Sequence, residues 1–203
     1  MKIFLFSSLI LLSLSIFGQT KLGLKLAPVV ASNRVTNDAQ NFDKDGSALK
    51  LSVGLVVDKP LSDSYFLSTG VTYLPKQVAF KNDTLAESYK SQYLQIPVSL
   101  KLFTNEVAPD FKVYFQVGTG VEIKVFDEPE EADFVLVESL NPIDFSVILG
   151  AGVEFRAGLS TTLFGGISYQ RGLVNAINDT TVPGTDDLQV RNTIVSIDLG
   201  VKF

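Results

Sequence analysis

Apolar and polar residues alternate with a period of two along most of the chain, the pattern of strands whose two faces meet different surroundings. It is clearest at the end, where Thr193, Val195, Ile197, Leu199, Val201 and Phe203 interleave with Asn192, Ser196, Asp198, Gly200 and Lys202. Only Ile194 interrupts it. The same alternation places Leu49 to Val57, Leu94 to Leu102, Phe111 to Val125 and Phe145 to Phe155 on single faces of four more strands. Weaker versions occur over 22–26, 65–73 and 163–169. The pattern predicts eight strands, at 21–32, 47–58, 65–80, 89–103, 111–126, 144–157, 161–175 and 190–203. Most have 12 residues or more, against the usual 5–6 or so of soluble sheets. A tilted strand that crosses a bilayer needs about 9–11.

The connections alternate as well. Segments 33–46, 81–88, 127–143 and 176–189 are mostly long, and 59–64, 104–110 and 158–160 are short. Short periplasmic turns, longer outer loops and an even strand count are the plan of outer-membrane barrels. The expected fold is therefore all-β, an eight-stranded antiparallel up-and-down transmembrane β-barrel. A soluble lipocalin-like barrel would share the strand count but turn its apolar face inward. The glycines favour the membrane barrel and leave the soluble lipocalin-like binding barrel as the lesser alternative: Gly23, Gly54, Gly70, Gly118, Gly120, Gly150, Gly152, Gly166 and Gly200 lie on the polar face, where an eight-stranded lumen is crowded, and of the mid-strand glycines only Gly165 lies on the apolar one. Apolar-face aromatics gather near the strand ends, with Tyr65, Phe111, Phe155 and Phe203 on one side and Tyr73, Phe145 and Tyr169 on the other. That is a two-girdle distribution.

Residues 1–19 read as a secretory signal peptide: Lys2 precedes an apolar run to Phe17 that is too short to span a membrane, and cleavage is expected after Gln19. Residues 20–203 then form the barrel domain. No Cys follows the apolar run, which excludes a lipid-anchored lipoprotein, and no later stretch has 18 consecutive apolar residues.

The polar face carries Lys25, Lys50, Lys101, Gln116, Glu122, Lys124, Glu154, Arg156, Gln170 and Asp198. Opposite charges crowded into a narrow lumen must pair, because an unpaired buried charge is costly. A polar network that plugs the lumen is expected, built on Lys25, Lys50, Lys101, Gln116, Glu122, Glu154, Arg156 and Asp198. A proton or ion path is the alternative. The long loops hold the negative charge: 127–143 alone carries −6, without one Lys or Arg. The run Asp127-Glu128-Pro129-Glu130-Glu131 lacks the spacing of a calcium loop, so a solvated acidic rim is expected there.

Composition narrows the chemistry. The chain is 46% hydrophobic with a net charge of −5, which argues against disorder and against a nucleic-acid partner. It has no Cys and no His, so thiolate and imidazole metal sites and every catalytic dyad or triad that needs either residue are excluded. Ser99 and Lys101 share a face, but such pairs arise in any lysine-bearing barrel. No phosphate loop or dinucleotide fingerprint is present. The expectation is a non-enzymatic barrel without cofactor or metal.

The segment Tyr93-Leu94-Gln95-Ile96-Pro97-Val98-Ser99-Leu100-Lys101 resembles the YLxIP…LK strand of the PorT-like outer-membrane β-barrel proteins of Bacteroidota. Lys21 to Pro28 is similar to that family's opening strand, apart from Pro28, and Ser196 to Phe203 to its closing strand with terminal Phe. The resemblance implies an eight-stranded outer-membrane barrel with no catalytic residues; the member that names the family belongs to a protein-secretion and gliding system. Structural, surface-interaction or secretion-assembly roles follow, with a small-solute channel or lipid-handling barrel as the alternative. The expected partners are outer-membrane lipid, the barrel-assembly machinery acting through Phe203 as a C-terminal signal, and surface or secretion-system partners at the long loops.

Overall fold

The structure is a computed structural model and describes residues 20–36, 42–81, 86–129, 137–180 and 188–203. The expected signal peptide lies outside these residues, as does the 130–136 portion of the acidic loop. Eight long strands are staves: β1 (Lys21–Thr36), β3 (Ala48–Pro60), β4 (Tyr65–Lys81), β5 (Ala86–Ala108), β6 (Phe111–Pro129), β8 (Ile143–Arg156), β9 (Thr162–Gly172) and β11 (Gln189–Lys202). Three short strands, β2 (Asp43–Lys44), β7 (Val137–Leu140) and β10 (Ile177–Thr180), sit at one end. Every stave pairs antiparallel with its sequence neighbours, and β1 pairs with β11 to close the barrel. At the seam Leu22 and Phe203 exchange backbone hydrogen bonds of 3.1 and 2.7 Å. Closure leaves no unpaired edge, which hydrocarbon requires.

The eight expected strands are all present. β5 runs on to Ala108, so the expected 104–110 turn shrinks to Pro109 and Asp110, the latter at φ 63°. Pro28 does not end β1; the β11 ladder skips Ala27 and Pro28 and resumes at Val29, because proline brings no N–H. Pairing of β4 with β5 likewise skips the positions around Pro97, where the Thr69 hydroxyl donates to the Pro97 carbonyl at 2.7 Å.

The apolar parity faces outward. Leu24, Leu55, Leu100, Val117, Leu149, Ile167 and Leu199 are all exposed and form the lipid-facing belt. The short turns 61–64 and 109–110 share one end with Lys21 and Phe203, which is the periplasmic end of such a barrel. Phe111 and Phe155 stack there at 4.6 Å.

The outer end differs from the sequence expectation. Segments read only as loops contain β2, β7 and β10, and β7 pairs with β10 as a separate two-stranded sheet. The cause is apolar residues set among the acidic ones: Val137, Leu140, Ala176, Ile177 and Leu188 are buried.

Candidate functional site

The inward parity builds a polar column from staves that each contribute a few side chains. Nearest the periplasm, Asp58 of β3 accepts hydrogen bonds from Lys101 of β5 at 3.0 and 3.1 Å and from Lys202 of β11 at 2.7 Å. Lys202 also pairs with Glu154 of β8. All four residues are buried, Asp58 completely. The Phe164 ring lies 5.5 Å from the Lys202 ammonium and 5.7 Å from that of Lys101, and Tyr114 lies 5.3 Å from the latter, close enough for cation–π attraction. These rings fit because glycine faces them. A Cβ on Gly152 or Gly166 would stand 2.6 Å from the Tyr114 hydroxyl, and one on Gly200 would strike Phe164.

The middle layer is looser. Lys25 approaches Asp198 at 3.6 Å, and Asp198 accepts from Ser196, which bonds Ser168. Gln116 lines the small cavity beside them, of about 40 Å³.

Above it, Lys76 of β4 binds both Glu122 of β6 and Asp144 of β8, the latter at 2.8 Å. Gln95 bridges Glu122 and Gln170 at 2.7 Å each, and Ser146 donates to Glu122 at 2.6 Å. Asp144 further accepts from the Phe145 and Val174 amides and from Asn192. The two carboxylates exceed the one lysine in charge, and these neutral donors stabilise the excess. The Tyr93 ring caps Lys76 at 4.3 Å.

Beyond this layer the lumen changes character. Val78, Phe80, Tyr89 and Val190 stay on the inward parity but are apolar, and they pack with Phe42, Val137, Leu140, Ala176, Ile177 and Leu188 in one buried cluster. Phe42 meets Phe80 edge-on at 5.6 Å. The Tyr89 hydroxyl donates to Glu87 and accepts from the Val137 amide; burial and the Glu87 bond push its phenol pKa up. Glu87 and Tyr89 stand outside the lipid belt, which begins on β5 at Leu94.

Of the residues expected to plug the lumen, Lys101, Glu122, Glu154 and Asp198 are buried in ion pairs, and Lys25 joins Asp198. Lys50 and Gln116 are half-buried on the inner face. Arg156 stands elsewhere. It ends β8, its side chain is half exposed, and it faces Glu106 at 3.5 Å and Asp110 at 3.7 Å on the periplasmic rim. Lys124 bonds Asp127 and the Leu140 carbonyl at the outer mouth. Phe203 is 60% exposed at the seam. The reading missed Asp58, Lys76, Asp144, Lys202 and Gln95 as members, although strand parity alone aligns each with its layer. Ser99 is buried with no hydrogen-bond partner, and Lys101 is turned to Asp58, so no Ser–Lys dyad is assembled. Among the described residues no group of three carboxylates is placed to hold a metal.

Solved structures share the architecture. The crystal structure of Neisserial surface protein A is 14% identical, with a TM-score of 0.53 over 91% of this chain and 97% of that one. The outer membrane protein OprG from Pseudomonas aeruginosa is 14% identical, with a TM-score of 0.59 over 91% of this chain and 95% of that one. At such identities the likeness speaks for the fold alone. No curated protein sequence matches the chain. Residues 17–178 match the family described as Outer membrane protein beta-barrel domain, most of the chain length. The chain belongs to that outer-membrane β-barrel family, and its place is the outer membrane.

Proposed function

We propose that this protein is a closed, non-enzymatic outer-membrane barrel that serves as a structural or surface-interaction element. The observation that carries the reading is a double closure of the lumen. Two buried ion-pair layers, on Asp58 and on Lys76, cross the interior, and an apolar cluster under the two-stranded β7–β10 sheet covers the outer mouth. An ion crossing this path must break buried, mutually satisfied pairs and then desolvate against Phe80 and Val78. The unassembled Ser99–Lys101 pair supports the absence of covalent catalysis. The resemblance of 93–101 to PorT-like strands favours a role in secretion assembly, with partners at the acidic outer loops, and Phe203 at the seam suits recognition by the insertion machinery. Planar-bilayer recording on purified protein tests the closure. Silence or brief, small events are expected. Steady conductance comparable with wide porins would refute the reading and promote the small-solute channel.

A further inference from the structure

The periplasmic mouth holds a pocket that borders the lumen network at Lys202 and Glu154. It has a volume of about 70 Å³ and is bounded by the inner ends of β1, β4, β5, β6, β8, β9 and β11. Lys21, Lys112, Arg156 and Lys202 contribute to its wall, together with Asp110 and Glu154. The two groups of cations are differently engaged. Lys202 is bound to Asp58 and Glu154, and Arg156 faces Glu106 and Asp110. Lys21 has a single hydrogen bond, to the neutral Thr162 hydroxyl at 3.0 Å, and no carboxylate lies within ion-pair distance of it or of Lys112 among the described residues. Lys112 stands across the ladders from Glu154 of β8 and Glu106 of β5, yet Glu154 pairs with Lys202 and Glu106 with Arg156.

Phe66 and Phe103 meet edge-on at 5.0 Å and form an apolar wall of the same pocket. Water is thereby excluded on one side, which strengthens attraction between the ammonium groups and any anion that enters. Lys25, Lys76, Lys101 and Lys202 in the lumen are matched to carboxylates at close range; here half-buried Lys21 and Lys112 line one open space with no ion-pair partner of their own among the described residues. Such an arrangement stabilises a guest carrying negative charge and several acceptor oxygens.

We propose that this pocket binds a small oxyanion of the phosphate or phosphomonoester type, held by Lys21 and Lys112 and approached from the periplasm past Arg156. The two ammonium groups without ion pairs suit an anion, and the space of about 70 Å³ admits one tetrahedral oxyanion. Thr162 adds a hydroxyl donor beside Lys21. Two sources offer this chemistry, free phosphate in the periplasm and the head of a phosphomonoester lipid in the inner leaflet.

The experiment uses the full barrel in a neutral maltoside detergent, which carries no phosphate. Inorganic phosphate is titrated calorimetrically, and phosphatidic acid is offered in nanodiscs against a neutral-lipid control. Saturable phosphate binding is expected, falling as salt rises. K21Q/K112Q should weaken it by about tenfold or more, the loss of one to two charge-assisted hydrogen bonds. Lys112→Arg, which keeps the charge, should stay within a few-fold of wild type, and Lys44→Gln at the outer rim should change nothing. The heat-dependent gel shift confirms that each variant is folded. Binding of phosphatidic acid but not of phosphate, with the same dependence on Lys21 and Lys112, assigns the lipid source. Absence of both, or equal binding by K21Q/K112Q and wild type, overturns the proposal.

Discussion

Asp58→Asn is the sharpest perturbation of the lumen, because the shape is kept and only charge is lost. Asp58 is fully buried and takes hydrogen bonds from two lysines, Lys101 at 3.0 and 3.1 Å and Lys202 at 2.7 Å. The lysines are not equally dependent on it. Lys202 retains Glu154, whereas Lys101 has no second carboxylate within ion-pair distance among the described residues. The substitution therefore strands one buried ammonium. Breaking a buried pair from one side costs about 3–5 kcal/mol. The Tyr114 and Phe164 faces already attract this ammonium in the wild type, so they do not offset the loss. A loss of about 3–5 kcal/mol follows. Urea unfolding of the detergent-folded protein reads it, and with slopes of about 1–3 kcal/mol per M the midpoint should fall by about 1 M or more.

The double variant D58N/K101M separates charge from packing. Removing the stranded ammonium should recover most of the loss, since replacing both partners of a buried pair is often nearly neutral. Glu122→Gln should cost less than Asp58→Asn, because Lys76 keeps Asp144 at 2.8 Å. A D58N midpoint indistinguishable from wild type, or no recovery in D58N/K101M, would refute the view that paired charge holds this end of the barrel together.

Other consequences are more local. Gly166→Val places a Cβ 2.6 Å from both the Tyr114 hydroxyl and the Ala151 carbonyl, and overpacking of this kind should cost about 1–3 kcal/mol in thermal unfolding in detergent. Leu149→Arg, on the lipid face midway along β8, should cost about 2–4 kcal/mol when refolding into bilayers is measured. Phe80→Ala should remove about 3–5 kcal/mol of packing from the outer cap; faster proteolysis of the outer loops with an unchanged heat-modifiable barrel band would show that the cap opens separately.

Period-two patterning made the staves legible because lipid, unlike water, leaves no freedom about which face is apolar. Leu94 to Leu102 and Phe111 to Val125 could take only one register. The same parity argument contained the missed network residues: Asp58 lies on the face of Lys50, and Asp144 on that of Glu154. What it could not supply was reach. Lys76, Glu122 and Asp144 come from β4, β6 and β8; the β6–β8 register sets Glu122 beside Asp144, and the curvature of the wall brings Lys76 to them across β5. Arg156 shows the converse, since parity aims it inward while its place at the end of β8 releases it to the rim. Ile194, the interruption in the last strand, is an inward residue packed on Ala27, Val29 and Leu74, a small apolar joint between staves.

The inversion of polarity along single staves ties these observations together. On β4 the outward residues Leu67 and Val71 are apolar, while inward Ser68 and Thr72 are polar. Further along, inward Val78 and Phe80 are apolar, beyond the level of the buried Lys76. The choice at each level follows from what lies outside. Where lipid surrounds the wall, the outer face must be apolar, and a polar inner face keeps the segment from becoming a continuous apolar run of about 18 residues, which would behave as a membrane helix. Above the bilayer water surrounds the wall, so the inner face is free to form an ordinary hydrophobic core. The ion-pair layers and the apolar cap thus answer two different solvents along one barrel. On the double closure proposed above, neither a cap variant alone nor a single broken ion pair should open a steady conducting path through the lumen.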